Sequence, residues 1–222
     1  MVDIALNISM LRQQIPPSVT IVAVSKTSPV SDIMIAYNAG HRCFGENRVQ
    51  ELLAKKDNLP AEIEWHLIGH LQSNKVKQVV PFISMIQSVD SFKLLSIINN
   101  ESAKVNRTVN CLLQFHIAEE ETKFGFNMEE VVQMFGSEEY KSLFNVRICG
   151  VMGMATFTED MDVVRKEFIY LRNCFNKLKE KYFSGNAHFT EISMGMSGDF
   201  RAAVEVGSTM VRIGSLIFGE RN

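Results

Sequence analysis

Apolar residues in this chain fall into eight short runs, separated by longer segments in which apolar and polar positions recur with helical spacing. The runs have the length of buried strands and several are rich in β-branched residues. We predict strands at Thr20 to Ser25, Arg42 to Glu46, Glu64 to Gly69, Ser84 to Val89, Val109 to Ile117, Val146 to Gly153, Ala187 to Met194 and Thr209 to Gly214.

The clearest helical pattern extends from about Asp160 to Tyr182. Its apolar positions step by four and three residues, while basic residues occupy the opposite face. These apolar positions are Val164, Phe168, Leu171, Phe175 and Leu178. Gly185 follows as a stop signal, so the segment predicts one long amphipathic helix that packs on a sheet.

Other helices are predicted between the remaining runs. One covers 2–12, before the first strand, and Pro16-Pro17 ends it. Another begins after Ser91, because serine is a favourable N-cap residue. Shorter helices are expected after Val30, Arg48, Asn74, Asn127 and Gly198.

Strand and helix therefore alternate eight times without a linker or a low-complexity tract. This alternation predicts a parallel sheet, because each return to a parallel neighbour needs a crossover. Eight units favour a closed (β/α)8 barrel, an α/β fold, formed as a single domain by residues 1–222. The competing fold is an open doubly wound sheet, which normally carries a glycine-rich turn after its first strand. Here that turn reads SKTSP.

The net charge of the chain is −2, with 23 basic and 25 acidic residues. A nucleic-acid-binding protein would usually show a basic surplus, so we expect no nucleic-acid partner. No apolar run approaches the roughly 20 residues that cross a bilayer, so we expect no membrane association. The N-terminus carries no basic leader, which predicts a cytoplasmic protein.

The cysteines and histidines give no pattern typical of a metal site. The four cysteines are widely spaced, and we expect them to be buried and reduced. His66 and His70 lie four residues apart, but the sequence EWHLIGHLQ predicts a strand followed by a turn. That spacing on a strand does not give the face that a helical zinc pair needs, so no metal is expected.

Lys26 follows the first predicted strand directly, at the end of an apolar run. In a barrel of this kind, functional groups collect where the strands end. Apolar walls disfavour the charged form of a lysine and leave a neutral amine that can attack an aldehyde. The alternative is a lysine whose ammonium simply extends from the strand end to solvent.

Small residues follow the seventh and eighth strands: Ser193, Gly195, Ser197 and Gly198 after one, and Gly214 and Ser215 after the other. These two loops form the recurrent phosphate site of such barrels, since backbone N–H groups and hydroxyls converge there. An amine and a phosphate site together fit pyridoxal 5′-phosphate (PLP), held as a Schiff base. A PLP-free barrel that handles phosphosugars is a further hypothesis.

Arg212, two residues before Gly214, is expected to point toward the cofactor ring from the barrel side. An arginine cannot accept the proton of a pyridine nitrogen, so the nitrogen should stay neutral and stabilise carbanions less. The alternative for Arg212 is a salt-bridged residue at the opposite face of the barrel.

The motifs AVSKT, FGENRVQE, WHLIGHLQSNK, EISMGMSGD and VRIGSLIFGER resemble the successive signatures of the pyridoxal phosphate homeostasis protein family. The resemblance extends from Thr20 to Arg221. It implies a barrel similar to the N-terminal domain of alanine racemase, with PLP on Lys26 and Arg212 facing the pyridine nitrogen. It also implies phosphate contacts from Ser197, Gly214 and Ser215. Two further residues are implied near the cofactor: Asn47 in the site, and Lys123 at the cavity mouth.

The resemblance to a racemase domain raises the alternative of a PLP-dependent racemase-like enzyme. Racemisation needs an acid or base on each face of the substrate, and in the two-domain racemase a tyrosine of the partner subunit is the second. Here the tyrosines, Tyr37, Tyr140, Tyr170 and Tyr182, fall in predicted helices or at their termini, and only SLIFGERN follows the last strand. We therefore expect no second domain and a non-catalytic monomer that stores or delivers PLP, with apo PLP-dependent enzymes as candidate recipients.

Overall fold

A computed structural model describes residues 2–118 and 124–220 of the chain. Eight parallel strands close into a barrel in sequence order, and β8 pairs with β1. The strands are β1 (Thr20–Val24), β2 (Cys43–Glu46), β3 (Glu64–Leu67), β4 (Met85–Val89), β5 (Val109–Phe115), β6 (Val146–Gly153), β7 (Glu191–Ser193) and β8 (Met210–Ile213). The prediction of a closed single-domain barrel is confirmed, and the pairing of β1 with β8 excludes the open sheet.

Helices cross the outside of the barrel between consecutive strands. They are α1 (Ile4–Gln14), α2 (Val30–Asn38), α3 (Val49–Lys56), α4 (Val76–Val79), α5 (Phe92–Lys104), α6 (Met128–Gly136), α7 (Glu138–Lys141), α8 (Met161–Tyr182), α9 (Phe200–Val206) and α10 (Ser215–Phe218). The helix predicted over 2–12 begins two residues later and ends two residues later. In the described part of the chain, none of these helices combines the length and apolar character that a membrane span requires.

Two of the helix starts that the sequence predicted, those of α8 and α5, are capped by side chains. The Asp160 carboxylate accepts hydrogen bonds from the N–H groups of Asp162 and Val163 at the start of α8. The Ser91 hydroxyl accepts from the N–H of Leu94 at the start of α5. In each case a side-chain oxygen satisfies backbone donors that have no partner within the helix.

Strand β7 is shorter than the predicted run from Ala187 to Met194, because it begins only at Glu191. The apolar Phe189 made the earlier part of the run look like a strand. Its ring instead stacks on Phe183, with ring centroids 4.1 Å apart, and on Phe175 at 4.9 Å. Phe189 therefore belongs to the apolar layer between α8 and the barrel.

The barrel interior divides into an apolar layer and a polar layer. The apolar layer is a buried cluster of Val22, Cys43, Met85, Leu112, Cys149, Met152 and Met210. Above it, toward the carboxyl ends of the strands, four polar side chains are buried: His66, Gln87, Ser193 and Arg212. All four cysteines of the chain are buried and free of disulfides, as the sequence predicts.

Candidate functional site

A cavity of about 530 Å³ opens at the carboxyl ends of the strands. Its walls come from residues at or after the ends of β1, β2, β3, β6, β7 and β8. Six of the residues predicted from the sequence line it: Lys26, Asn47, Ser197, Arg212, Gly214 and Ser215. The topology thus brings together residues that lie up to 189 positions apart in the chain.

Lys26 lies on the wall of this cavity, in a sharp bend just after β1. The next residue, Thr27, has a backbone φ of 66°, in the left-handed region that a β-branched residue rarely adopts. Such a conformation costs on the order of 1–3 kcal/mol and persists only where surrounding contacts hold it. One such contact is the hydrogen bond from the Thr27 N–H to Glu51 Oε2, at 2.9 Å.

A buried charged cluster lies beneath the same bend. Glu46, the last residue of β2, is fully buried, and its Oε1 accepts from the Ser25 hydroxyl at 2.7 Å and from Lys55 Nζ at 2.8 Å. Burial raises the pKa of the Glu46 carboxyl, and the hydrogen bonds from Lys55 and Ser25 oppose that rise. No feature of the sequence predicted this cluster, apart from the position of Glu46 at a strand end.

The loops after β7 and β8 meet at Ser197 and Gly214. The Gly214 N–H donates to the Ser197 hydroxyl at 3.3 Å, which joins the two loops on the cavity wall. Gly195 makes the approach possible, because its φ is 96° and a Cβ atom there would lie 2.6 Å from the Cβ of Ala203. Hydroxyls and backbone N–H groups therefore converge on one side of the cavity, which suits an anion.

Asp199, which was not among the predicted site residues, also lines this side of the cavity. Its carboxylate accepts from the N–H of Met196 and so ties the loop after β7 to the start of α9. Burial raises the pKa of Asp199, while the hydrogen bond from Met196 and the charge of Arg212 lower it. Asp199 therefore organises the loop and offsets part of the cationic charge of Arg212.

Arg212 is buried at the base of the cavity. Its Nη1 donates to Ser193 Oγ at 2.7 Å and its Nη2 to the carbonyl of Gly153 at 2.9 Å. Burial lowers the pKa of Arg212 to about 10, which still leaves the guanidinium charged at neutral pH. Because Arg212 shares the cavity with Lys26, the alternative of a residue at the opposite face is wrong.

Ser193, predicted as a site residue, does not line the cavity. Its hydroxyl accepts from Arg212 and donates to Gln87 Oε1 at 2.7 Å. The Gln87 amide in turn donates to His66 Nδ1 at 2.9 Å. Ser193 is thus one layer below the cavity, where it orients Arg212. The sequence missed this because it could not tell which residues of a three-residue strand face the cavity.

Asn47 reaches the cavity through a close contact between two loops. The backbone carbonyl oxygen of Asn47 would lie 2.3 Å from a Cβ atom at Gly69, so only glycine allows the loop after β3 to pack against it. The backbone after β2 is therefore fixed by its neighbour. Asn47, which the family resemblance implies near the cofactor, thus occupies a defined place on the cavity wall.

The loop after β6 contributes a wall that sequence analysis did not anticipate. Met154, Thr156 and Phe157 line the cavity, and Phe157 is 98% exposed at its rim. Glu167, buried on α8, accepts from the N–H and from the hydroxyl of Thr156, both at 2.7 Å. Their position after a predicted strand was the available signal, but neither a charged residue nor a glycine-serine turn directly follows this strand in the sequence.

One group of residues has ligand atoms near enough to one another for a metal: within the described ranges, Cys43, Glu64 and His66 lie within 4.8 Å. It extends from His66, in the buried polar layer, down to Cys43 and Glu64 at the amino-terminal ends of β2 and β3. Because the Gln87 amide donates to His66 Nδ1, the ring proton lies on Nε2, which faces Cys43 Sγ at 3.6 Å. Burial also raises the pKa of the Cys43 thiol. His66 Nε2 and Cys43 Sγ therefore carry protons where a metal needs lone pairs. Lys123, predicted at the cavity mouth, lies outside the described residues.

The four tyrosines lie in helices, as predicted: Tyr37 in α2, Tyr140 in α7, and Tyr170 and Tyr182 in α8. None of them lines the cavity. Among the described residues, no tyrosine is therefore available to act on a molecule bound opposite Lys26.

A family model, curated relatives and solved structures all match this chain over most of its length. The family model "Alanine racemase, N-terminal domain" matches residues 2–222. The pyridoxal phosphate homeostasis protein of Aquifex aeolicus is 39% identical over 202 residues, which cover 90% of this chain and 86% of that protein. The structure of PipY from Synechococcus elongatus with PLP bound is 35% identical, with a TM-score of 0.88, and the match covers 97% of this chain and all of PipY.

The similarity to alanine racemase itself is one of fold. The Clostridium difficile enzyme is 14% identical, with a TM-score of 0.80. The match covers 99% of this chain and 57% of the racemase. At this identity the similarity carries the barrel and nothing of the racemase's activity.

Proposed function

From the premise that this chain belongs to the alanine racemase N-terminal domain family, and within it to the pyridoxal phosphate homeostasis proteins, we propose that it binds PLP as a Schiff base on Lys26 and takes part in vitamin B6 homeostasis. The observation that carries the proposal is the shared cavity. An amine, hydroxyls with backbone N–H groups, and a buried guanidinium line one space of about 530 Å³. That volume is within the range of small-molecule sites.

The donor set fits each part of the cofactor. Lys26 would hold the aldehyde carbon, and Ser197, Gly214 and Ser215 would hold the phosphate. Arg212 would face the pyridine nitrogen, and Asn47 would complete the wall. The bound cofactor would supply an electrophilic imine, which is reversible and so suits storage and release.

Arg212 and Ser193 would set the electronic state of the ring. The guanidinium has only donors, so it holds a neutral acceptor nitrogen rather than a protonated one. Ser193 accepts from Nη1 and the Gly153 carbonyl accepts from Nη2, so the other N–H donors of Arg212 would remain for the cofactor. A ring without a proton on its nitrogen is a weaker electron sink, which favours holding the cofactor over amino-acid chemistry.

The proposed role is therefore a carrier that stores or delivers PLP without robust catalysis. The position of the tyrosines supports it, because none lines the cavity opposite Lys26. The alternative is a PLP-dependent racemase-like enzyme, favoured by the shared fold. Apo PLP-dependent enzymes as recipients, a monomeric state and a cytoplasmic location belong to the same proposal. Transfer assays, light scattering and cell fractionation test them.

Titration of the purified chain with PLP tests this function. An imine absorbance band should grow to one equivalent, and pyridoxamine 5′-phosphate, which has no aldehyde, should give none. A phosphosugar-handling barrel would give no band with either compound. The carrier role predicts that the loaded protein turns over amino acids far more slowly than about 1 s⁻¹, a modest enzymatic rate. Racemisation or decarboxylation at that rate would establish the enzyme instead.

A further inference from the structure

We propose that Lys55, together with Glu46 and Glu51, positions Lys26 by fixing the backbone on both sides of it. This inference rests on the proposed role of Lys26 as the imine-forming residue. It assigns to three charged residues outside the cavity wall the task of holding the bend Ser25-Lys26-Thr27. We call Glu46, Glu51 and Lys55 the elbow cluster.

Lys55 holds the residue before Lys26. Its ammonium donates to the carbonyl oxygen of Ser25 at 2.9 Å and to Glu46 Oε1 at 2.8 Å. The Ser25 hydroxyl donates to the same Glu46 oxygen at 2.7 Å. Both the backbone and the side chain of Ser25 are thus bound to the cluster, and the Ser25 N–H is bound in addition to the Gly45 carbonyl.

Glu51 holds the residue after Lys26. Its Oε2 accepts from the N–H of Thr27 and lies 3.8 Å from Lys55 Nζ, so the same ammonium anchors the carboxylate. This hydrogen bond coincides with the left-handed φ of Thr27. A backbone in that conformation relaxes unless it is held, and relaxation would swing the Cα of Lys26 relative to the cavity.

The composition of the cluster is unusual for a purely structural contact. Glu46 is fully buried, and its Oε2 has no hydrogen-bond partner among the described residues. Buried ion pairs are often no more stabilising than apolar packing, so stability alone gives little reason for this one. Charge-assisted hydrogen bonds are directional, however, and directional contacts to the atoms flanking Lys26 fix where its side chain starts.

The position of the amine matters because imine formation requires the nitrogen to meet a carbon held elsewhere. The phosphate loops belong to β7 and β8, whereas Lys26 belongs to β1 and the elbow cluster to β2 and α3. An error of about 1 Å in such an arrangement can cost on the order of a hundredfold in rate. Loss of the cluster should therefore slow imine formation even where the cofactor still binds.

The chain offers a matched pair of substitutions on α3. Lys55→Met removes the anchoring ammonium and keeps most of the side-chain volume. Lys56→Met is the control, because Lys56 pairs with the exposed Asp57 and lies over the Phe82 ring, whereas Lys55 makes the contacts to Ser25 and Glu46. Lys55→Arg tests rescue, since a guanidinium can donate to both Glu46 and Ser25. Glu51→Ala tests the Thr27 contact at a partly exposed helical position, where the fold should tolerate the change.

The measurement is the rate of imine absorbance on mixing with PLP, and with pyridoxal, which lacks the phosphate. We expect Lys55→Met and Glu51→Ala to slow both reactions at least about tenfold. Lys56→Met should match the wild-type rate, and Lys55→Arg should recover most of it. Because both aldehydes are affected, the defect lies at the amine rather than at the phosphate loops. Wild-type rates in Glu51→Ala, or in a folded Lys55→Met, would overturn the inference.

Amide hydrogen exchange separates this inference from the proposed function. Without any aldehyde present, the Thr27 amide should exchange faster in Glu51→Ala and Lys55→Met than in Lys56→Met. If the wild-type chain forms no imine on Lys26, the proposed function fails. Faster exchange would then still support the cluster as the element that holds the bend, whereas unchanged exchange would overturn that role as well.

Discussion

Ser193 Oγ lies 2.7 Å from Arg212 Nη1 and accepts a hydrogen bond from it, while the Ser193 hydroxyl donates a hydrogen bond to Gln87 Oε1. A single hydroxyl on the shortest strand therefore connects the guanidinium of the cavity to the buried polar layer of the barrel. Gln87 in turn donates a hydrogen bond to His66 in the same layer. The orientation of Arg212 thus depends on residues that do not line the cavity.

Ser193→Ala is expected to destabilise the protein although it removes only one oxygen atom. Gln87 Oε1 would lose its donor and Arg212 one acceptor, and both are buried. Leaving a buried polar group unsatisfied costs about 1–3 kcal/mol, so the free energy of unfolding in urea should fall by that amount. Ser142→Ala, at an exposed hydroxyl that donates to Glu139, should change it by less than about 0.5 kcal/mol. Equal effects of the two substitutions would contradict the assigned role of Ser193.

Gly195→Ala is expected to weaken PLP binding selectively. The left-handed φ of 96° disfavours alanine by about 1–2 kcal/mol, and the new Cβ would meet Ala203 at 2.6 Å. The loop that carries Ser197 must shift, which loosens the phosphate contacts. Affinity for PLP should therefore fall about tenfold or more, a free-energy loss of about 1.4 kcal/mol, while affinity for pyridoxal stays near the wild-type value.

Gly136→Ala is the matched control for Gly195→Ala. Gly136 ends α6 and has open space around the position of a Cβ atom. Both affinities should be unchanged in this variant. Equal losses for PLP and pyridoxal in Gly195→Ala would show that the loop after β7 does not hold the phosphate.

In the variant His66→Asn, the free energy of unfolding is expected to fall less steeply as the pH decreases below about 6.5. Burial lowers the pKa of His66 to about 4 from an ordinary value of 6.5. Below pH 6.5, His66 is therefore protonated in the unfolded chain, whereas in the folded chain it stays neutral until about pH 4. Stability is lost as pH falls through this window, by up to about 3 kcal/mol from this group. Asparagine does not titrate in this pH range, and its amide oxygen can accept the hydrogen bond from Gln87 in place of Nδ1.

The measurement is the free energy of unfolding at several pH values between 4 and 7, in the wild type and in His66→Asn. His41, whose pKa is also lowered to about 4 by burial, acts in the same direction in both proteins. Burial raises the pKa of Glu46, which acts in the opposite direction in both. The difference between the two profiles therefore isolates His66. A variant that keeps the full wild-type slope would show that folding does not lower the pKa of His66.

Strand ends are where the sequence best predicted which residues line the cavity. Lys26 and Gly214 stand out because a charge or a small residue follows a buried apolar run, and a parallel barrel collects all such ends on one face. Ser193 and Ser197 could not be separated in the same way. Both follow apolar residues, and only the register of β7 shows that one is inside the barrel and the other is on the cavity wall.

The supporting charges were beyond sequence reasoning for a different physical reason. Glu167 lies in a helix with many charged residues, and nothing local shows that it faces Thr156 rather than solvent. Glu46 and Lys55 are nine residues apart, on a strand and on the following helix. Their contact arises only when α3 packs back on β2. Charged residues that contact the cavity wall without lining it can therefore be identified only from the way helices pack on strands in the folded structure.

The central claim is that the Lys26 amine holds the aldehyde while the loops after β7 and β8 hold the phosphate. Borohydride reduction of the PLP-loaded protein, followed by peptide mapping, tests it most directly. We expect one cofactor mass, fixed on the peptide that contains Lys26. Lys26→Ala should bind PLP weakly and carry no label after reduction. Label on another lysine of the wild-type chain, or a Lys26→Ala variant that keeps the affinity and imine spectrum of the wild type, would contradict the account.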